Sequence, residues 1–248
     1  MEATLVIDIG NTFTKIAVFK QNQVLYTEQY KLPDEGIINN ILAGYPINKA
    51  IISSVKKEKE GWQNVLAQRV KPVYFNAGMT SGITNHYLTP QTLGADRLAA
   101  VIGAYHLYPG KSNMVIDGGT CITYDWVDAV GNYFGGSISP GLNMRYKALN
   151  NYTAGLPLVE ADETFAAISG NNTKSAILSG VQNGIKYELE GFIKSYIKQG
   201  EELNIVLTGG DSNFFDTLLK NSIFAACIKI EPLLVLKGLN AAIQTNND

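Results

Sequence analysis

The sequence has few of the residues that build disulfide frameworks and metal centres. It contains two cysteines and two histidines among 248 residues. Cys121 and Cys227 lie far apart in apolar stretches typical of strands, which favours two buried, reduced thiols over a disulfide or a metal site. His86 and His106 are too few and too far apart for a zinc site.

The chain also has a small net charge and lacks long apolar runs. Charged residues make up 17% of the chain and the net charge is −2, which favours neither nucleic acid nor an anionic membrane as a partner. No apolar run approaches the ~20 residues that span a bilayer. The first three residues lead straight into a strand, without the basic segment of a signal peptide. We therefore expect a cytoplasmic globular protein.

The predicted elements repeat their order along the chain. Each half begins with three strands and continues with alternating helices and strands. The first half has strands Thr4–Ile9, Thr14–Lys20 and Gln23–Tyr30, a helix over 34–43, strand Lys49–Ser53, helix Gly61–Val70, strand Val73–Asn76, a long loop Gly78–Thr92 and helix Gly94–Tyr108. The second has strands Asn113–Asp117, Ile122–Val127 and Asn132–Ser139, helices Gly141–Tyr152 and Lys174–Lys198, strand Asn204–Thr208, helix Phe214–Lys220, strand Ala226–Ile230 and helix Leu234–Ile243.

This order predicts an α/β protein with two mixed sheets, each flanked by helices. The boundary falls near residue 111, which gives an N-terminal half of residues 1–111 and a C-terminal half of residues 112–248. The repeated order resembles the duplicated actin-like ATPase (ribonuclease H-like) fold of sugar kinases and heat-shock chaperone ATPases. That resemblance implies a nucleotide held between the two halves.

Two similar turns follow the first strand of each half. One is Asp8-Ile9-Gly10-Asn11-Thr12, and the other is Asp117-Gly118-Gly119-Thr120. Glycine lets the backbone approach a ligand closely, turn amides point at phosphate oxygens, and the Asp supplies a hard oxygen for Mg²⁺, through water at Asp8. Lys15 lies where it can reach the same anion. An ordinary hairpin explains either turn alone, whereas two matching turns favour one cleft that binds a triphosphate.

Two further stretches carry candidate site residues. In Thr208-Gly209-Gly210-Asp211 the glycines admit a flat ligand such as adenine, or else form a tight turn with Asp211 as the N-cap of a helix. Gly94-Ala95-Asp96-Arg97 starts a helix, where anions bind well. Asp96 either orients a substrate hydroxyl or is a first-turn acid paired with Arg97 on the surface. We interpret Asp125 as a solvated residue at a strand end.

Several stretches together resemble type III pantothenate kinase, in that family's order and along nearly the whole chain. They are Asp8–Thr12 with Lys15, Gly94–Arg97, Asp117–Thr120, Gly135–Leu142, Thr153–Pro157 and Thr208–Asp211. The Gly-Ala-Asp-Arg and Ser-Pro-Gly stretches are more specific than the two phosphate turns, which the wider superfamily shares. The tight loop between Val70 and Gly78 departs from the family pattern, and we expect it to affect stability more than chemistry.

The resemblance implies ATP-dependent phosphorylation of pantothenate to 4'-phosphopantothenate, the first step of coenzyme A synthesis. It implies direct in-line transfer with Asp96 as the proton acceptor. It also implies a homodimer in which Thr173 reaches the neighbouring subunit's site. Asp117 matches the family's ligand for a monovalent cation, potassium or ammonium, which replaces the Mg²⁺ role that its turn alone suggests. The implied pantothenate contacts are Tyr87, Gly94, Ala95, Asp96, Arg97 and Thr173, and the implied ATP contacts are Asp8, Ile9, Gly10, Asn11, Thr12, Phe13, Thr14, Lys15 and Thr120.

Two other functions remain open on the sequence. A sugar kinase or a polyphosphate hydrolase would keep the fold and change the acceptor, but the chain has no recognisable sugar-binding motif and does contain Gly94–Arg97. A nucleotide-binding regulator is the alternative from another class. The near-neutral charge and the lack of a helix-turn-helix or basic stripe argue against direct DNA contact.

Overall fold

The computed structural model describes residues 2–54, 61–197 and 202–245. The chain packs into two compact units. Unit 1 comprises Met1–Pro109, Gly131–Tyr133 and Leu233–Asp248, and unit 2 comprises Gly110–Val130 and Phe134–Pro232. The boundary near residue 111 is predicted to separate the two copies of the repeated fold, and it stays a prediction.

Strands and helices alternate after an opening run of strands in each unit. The strands are β1 (Ala3–Ile9), β2 (Thr14–Lys20), β3 (Gln23–Tyr30), β4 (Ile47–Ser54), β5 (Pro72–Tyr74), β6 (Thr84–Asn85), β7 (Ser112–Gly118), β8 (Cys121–Val127), β9 (Asn132–Pro140), β10 (Leu203–Gly209) and β11 (Ile228–Ile230). The α-helices are α1 (Glu35–Gly44), α2 (Trp62–Arg69), α3 (Ala95–Leu107), α4 (Leu142–Asn151), α5 (Thr173–Leu178), α6 (Gly184–Tyr196), α7 (Ser212–Leu219) and α8 (Leu234–Thr245).

Unit 1 is built on a five-stranded mixed sheet with the strand order β3-β2-β1-β4-β5. β2 is antiparallel to β1 and to β3, while β4 is parallel to β1 and β5 is parallel to β4. β1 is a nearly continuous apolar run because both faces of the central strand are covered. The core on one side includes Leu5, Ile7, Ile38 and Leu66, all fully buried.

Helices α3 and α8 of unit 1 pack closely, and α8 also contacts β1, β2 and β4. Two glycines allow this approach. A side chain at Gly238 would overlap the Ala99 carbonyl oxygen, and a Cβ atom at Gly103 would lie 2.5 Å from the Leu234 carbonyl oxygen. The close contact fixes α3, which carries Asp96 and Arg97 in its first turn.

Unit 2 contains a second mixed sheet with β11-β10-β7-β8-β9 as consecutive strands. β10 is parallel to β7 and β11, while β8 is antiparallel to β7. Within unit 1, β6 pairs in parallel with the first two residues of β9, Asn132 and Tyr133. β1-β2-β3 and β7-β8-β9 thus repeat one order, and the predicted α/β fold with two mixed sheets is confirmed.

The long helix predicted over Lys174–Lys198 is interrupted. α5 and α6 are separated by one turn of π-helix, Ser179–Asn183, and Lys198 lies outside the described residues. Side chains of this turn bind the preceding loop: the Asn183 amide donates to the Ala167 carbonyl at 3.0 Å, and the Gln182 amide donates to the Asp162 carbonyl at 2.9 Å. These long-range hydrogen bonds stabilise the π turn. The helical spacing of apolar residues in the sequence gives no sign of them.

Three other local predictions were wrong. The strand predicted over Ala226–Ile230 begins at Ile228, because Ala225–Cys227 forms a 3₁₀ turn. The thiols are free, but Cys227 is exposed and Cys121 is partly exposed, so they are not a buried pair. Asp125 is 1% exposed within β8 rather than solvated at a strand end.

The loop predicted over Gly78–Thr92 contains two short elements, β6 and a 3₁₀ turn at Pro90–Thr92. Across residues 2–54, 61–197 and 202–245, no helix combines the length and the apolar character needed to cross a bilayer.

Candidate active site

Asp8 lies near the end of β1, opposite two polar side chains on the neighbouring strands. The register places Lys15 of β2 on one side of Asp8 and Ser53 of β4 on the other. The Ser53 hydroxyl donates a hydrogen bond to the Asp8 carboxylate. The sequence predicted Asp8 and Lys15 together but missed Ser53, because only the pairing of β1 with a strand some forty residues away reveals it.

The Asp8 carboxylate is poorly compensated. Its pKa is raised to about 6, mainly by burial and to a smaller extent by the Asp96 charge, while the Ser53 hydrogen bond and the Lys15 charge act in the opposite direction. The side chain keeps partial solvent exposure, so it is accessible although most of its surroundings are protein. The interaction with Asp96 also shows that two predicted site carboxylates lie near one another in unit 1. Such a pair favours a bound cation.

The turn after Asp8 is a tight hairpin. The Gly10 amide donates to the Phe13 carbonyl at 3.0 Å, and Asn11 and Thr12 are exposed at the tip. The amides of the tip and the Thr12 side chain therefore lie at the surface, as a phosphate-binding turn requires.

Asp96 and Arg97 lie in the first turn of α3, as predicted. An Asp96 carboxylate oxygen accepts a hydrogen bond from the Arg97 amide at 2.8 Å. Gly94 precedes the helix, and a Cβ atom there would lie 2.5 Å from the same Asp96 oxygen. The Asp96 carboxylate thus folds back over Gly94, and a side chain at Gly94 would displace it.

Arg97 is not the surface partner of Asp96 that the alternative interpretation expected. Its side chain is 7% exposed, and its guanidinium lies 5.8 Å from the centre of the Tyr87 ring. A cation over an aromatic face is stabilised electrostatically. The structure therefore brings together two of the predicted substrate contacts, Tyr87 and Arg97, through a contact that the sequence did not show.

A cavity of about 630 Å³ lies beside the start of α3. Ala95 and Leu98 of the helix line it together with Phe75, Asn76 and Gln91 from the segments before it. Its size and mixed lining suit a small molecule. The cavity shares Ala95 with the predicted substrate-binding stretch.

In unit 2, the structure brings the Asp117 turn and the Thr208–Asp211 stretch together. β7 and β10 align Asp117 with Thr208 and Gly118 with Gly209, and the Asp211 amide donates to the Gly118 carbonyl at 3.0 Å. Gly209 has φ +83°, and a side chain there would overlap the Asp117 carboxylate and the Gly118 carbonyl. Glycine is required at this position for both reasons.

The Gly119–Thr120 turn is held by two backbone hydrogen bonds. The Gly119 amide donates to the Cys121 carbonyl at 2.9 Å, and the Gly141 amide donates to the Thr120 carbonyl at 3.1 Å. A side chain at Gly141 would overlap the Gly119 carbonyl oxygen. Thr120 itself is exposed. Gly141 of the Ser-Pro-Gly stretch thus packs against the Gly119–Thr120 turn.

Asp211 occupies the N-cap position of α7, but its side chain makes no capping hydrogen bond there. Burial raises the pKa of its carboxyl group. Asp211 is therefore a partly buried acid beside the Asp117 turn. It lies at the N-cap position that the sequence predicted, but its side chain does not cap the helix.

Thr173 is the exposed first residue of α5. Asn172 caps the helix by accepting a hydrogen bond from the Ser175 amide at 3.0 Å, and the Ser175 side chain bonds back to the Asn172 amide. This capping box fixes the backbone at the start of α5, where Thr173 lies. The contact that Thr173 is predicted to make with a neighbouring subunit stays a prediction.

The described residues contain candidate metal ligands but no cluster of three or more. No three His, Cys, Asp or Glu side chains cluster there as they would around a metal ion. Asp8 and Asp117 each suit a hydrated cation whose remaining ligands are water or phosphate oxygens.

The chain matches known proteins over most of its length. The family model described as type III pantothenate kinase matches residues 4–195. Proteins with the same name from Bacteroides fragilis and Christiangramia forsetii are 45% and 43% identical, and each comparison covers 98% of both chains.

Solved structures support the fold. The activator of the 2-hydroxyisocaproyl-CoA dehydratase from Clostridium difficile, with bound ADPNP, aligns with a TM-score of 0.55 at 14% identity, over 98% of this chain and 96% of that one. The structural neighbours share the fold of actin-like ATPases and sugar kinases, which the resemblance of the repeated element order implied.

Proposed function

The chain belongs to the family of type III pantothenate kinases, and on that premise we propose that it transfers the γ-phosphoryl group of ATP to the terminal hydroxyl of pantothenate. The observation that carries the proposal is the group formed by Asp8, Lys15, Ser53 and Asp96 in unit 1. It combines a cation-binding carboxylate, a phosphate-binding lysine and a second carboxylate in one place. These are the parts that phosphoryl transfer needs.

Asp8 is the proposed ligand of Mg²⁺, through water. Its raised pKa shows that its charge lacks compensation within the protein, and a bound cation would supply it. Mg²⁺ bound there neutralises charge on the phosphates. ATP would contact Asp8, Ile9, Gly10, Asn11, Thr12, Phe13, Thr14 and Lys15, and Thr120.

Asp96 is the proposed proton acceptor. It orients the terminal hydroxyl of pantothenate and takes its proton on the carboxylate as the phosphoryl group transfers in line. The loose transition state of phosphoryl transfer needs positioning more than a strong base. The Arg97 amide fixes one Asp96 oxygen at 2.8 Å, so the carboxylate is held in one orientation before the substrate arrives.

The rest of pantothenate would contact Tyr87, Gly94, Ala95 and Arg97. The guanidinium of Arg97 is held in place by the Tyr87 ring and suits the substrate's carboxylate or carbonyl oxygens. The cavity beside Ala95 provides room for part of a small molecule.

The proposal includes a homodimer in which Thr173 completes the neighbouring subunit's pantothenate site. It also includes a monovalent cation, potassium or ammonium, at Asp117. Because the reaction consumes ATP, we place the enzyme in the cytoplasm.

The test is ADP release by the purified full chain with ATP, Mg²⁺ and pantothenate. We expect pantothenate-dependent ADP release in potassium buffer and much less in sodium buffer. Equal ADP release without pantothenate would instead indicate a hydrolase. No turnover with any acceptor would contradict the proposed function.

A further inference from the structure

Arg145 binds the segment that precedes its own helix, α4. Its Nε donates to the Pro140 carbonyl at 2.9 Å, and its Nη2 donates to the Ser139 hydroxyl at 3.0 Å. Both acceptors belong to the Ser-Pro-Gly stretch. The planar guanidinium therefore holds two consecutive residues of this stretch from one side.

Arg145 is itself held by Glu188 of α6. Glu188 Oε2 accepts a hydrogen bond from Arg145 Nη2 at 2.6 Å, and Oε1 accepts one from the Tyr124 hydroxyl at 2.8 Å. Tyr124 is fully buried, and its ring stacks on Phe192 with centroids 4.1 Å apart. The Arg145 and Glu188 side chains are only 20% and 22% exposed. The ion pair is thus attached to the core of unit 2, unlike an exposed pair on the surface.

The held segment in turn contacts the phosphate turn of unit 2. Gly141, directly after Pro140, donates its amide to the Thr120 carbonyl at 3.1 Å and packs so tightly that a side chain there would overlap Gly119. A continuous set of contacts therefore leads from Glu188 through Arg145 and the Ser-Pro-Gly stretch to Thr120. We therefore expect a displacement of the stretch at Gly141 to shift the turn, because the two backbones are hydrogen-bonded and closely packed there.

We propose that Arg145 is a positioning residue for ATP binding, which fixes the Gly119–Thr120 turn through its contacts with Ser139 and Pro140 and its ion pair with Glu188. The inference rests on the proposed function, in which Thr120 contacts a phosphate of ATP. Arg145 itself does not contact the nucleotide. Its effect on ATP is therefore indirect and passes through Thr120.

The first test is Arg145→Lys, which keeps the charge but cannot bind Ser139, Pro140 and Glu188 together. We expect the KM for ATP to rise about tenfold, while the KM for pantothenate stays within about twofold. Lys111→Ala is the matched control, because it removes the exposed ion pair between Lys111 and Glu202 and leaves both KM values unchanged. Equal rises in both KM values for Arg145→Lys, or no rise, would overturn the proposal.

A double-mutant cycle with Thr120→Ala tests whether the effect passes through Thr120. We expect Arg145→Lys to change ATP affinity much less in the Thr120→Ala background than in the wild type. Additive effects would assign Arg145 a general role in stability and overturn the proposal. Glu188→Gln, which preserves the shape of the side chain, provides a second variant and should raise the KM for ATP in the same direction by a smaller factor.

Direct titration with a fluorescent ATP analogue separates this inference from the proposed function. If the wild-type chain binds ATP but does not phosphorylate pantothenate, the proposed function fails. The effect of Arg145→Lys on the dissociation constant of the analogue still decides the inference: a rise of about tenfold supports it, and an unchanged value overturns it.

Discussion

Gly209→Ala should destabilise the protein far more than the same substitution one residue later. The φ angle of +83° at Gly209 costs a residue with a side chain about 1–2 kcal/mol. The new methyl group would overlap the Asp117 carboxylate and the Gly118 carbonyl, and relief of such overpacking costs about 1–3 kcal/mol. The lower entropy of the unfolded chain returns about 0.4–1 kcal/mol. We expect a net loss of about 1–5 kcal/mol.

Gly210→Ala is the matched control. No atom lies within 4 Å of a Cβ at Gly210 and no positive φ is required there, so the variant should be neutral or up to about 1 kcal/mol more stable. Urea denaturation followed by circular dichroism measures both free energies of unfolding. Because Gly209→Ala displaces Asp117, it should also weaken the proposed activation by potassium, whereas Gly210→Ala should not. Equal unfolding free energies for the two variants would refute this account of the Asp117 turn.

Three further substitutions test other parts of the structure. Asp96→Asn should lower kcat by about 10²–10⁴-fold with an unchanged KM for pantothenate; normal turnover would remove Asp96 as the proton acceptor. Burial alone would raise the pKa of Glu188, but hydrogen bonds from Arg145, Tyr124 and Ser139 hold it below its ordinary value of 4.5. The charged form therefore stabilises the fold above that pH, and the contribution is lost as the pH falls below it. The melting temperature of Glu188→Gln should accordingly vary less between pH 6 and pH 3 (roughly the range on either side of that pKa) than that of the wild type, and parallel curves would contradict this. Asn172→Ala should cost about 1 kcal/mol by removing the cap of α5, and an unchanged urea midpoint would show that the capping bond contributes nothing.

The sequence predicts elements well where local pattern and local structure agree. β2 and β3 begin and end at the predicted residues, because stretches rich in β-branched and aromatic residues are bounded by short turns. α3 differs from its prediction by one residue at each end, since a glycine precedes it and Pro109-Gly110 follows it closely. The bounds of these elements therefore follow from local sequence.

The sequence fails where distant residues decide the outcome. Asp125 is buried in the middle of β8. The sequence favoured a solvated strand end, because a single acidic residue in a strand is typical of one. The π turn at Ser179–Asn183 depends on bonds to a loop some fifteen to twenty residues earlier. No local pattern encodes such pairings.

The same distinction applies to the candidate site. The motifs at Asp8, Asp96 and Asp117 were found because glycine turns and helix starts are local features. Ser53 and Glu188 were missed because strand register and helix packing place them beside Asp8 and Arg145. Contacts between residues far apart in the chain are therefore harder to recognise in a sequence than local motifs.

Transfer of a radiolabel from the γ-phosphate of ATP to pantothenate tests the central claim most directly. The wild-type chain with Mg²⁺ and potassium should place the label on the terminal oxygen of pantothenate, with one ADP formed for each phosphorylated product. Label that appears only as inorganic phosphate, at the same rate with and without pantothenate, would contradict the claim that this chain is a pantothenate kinase.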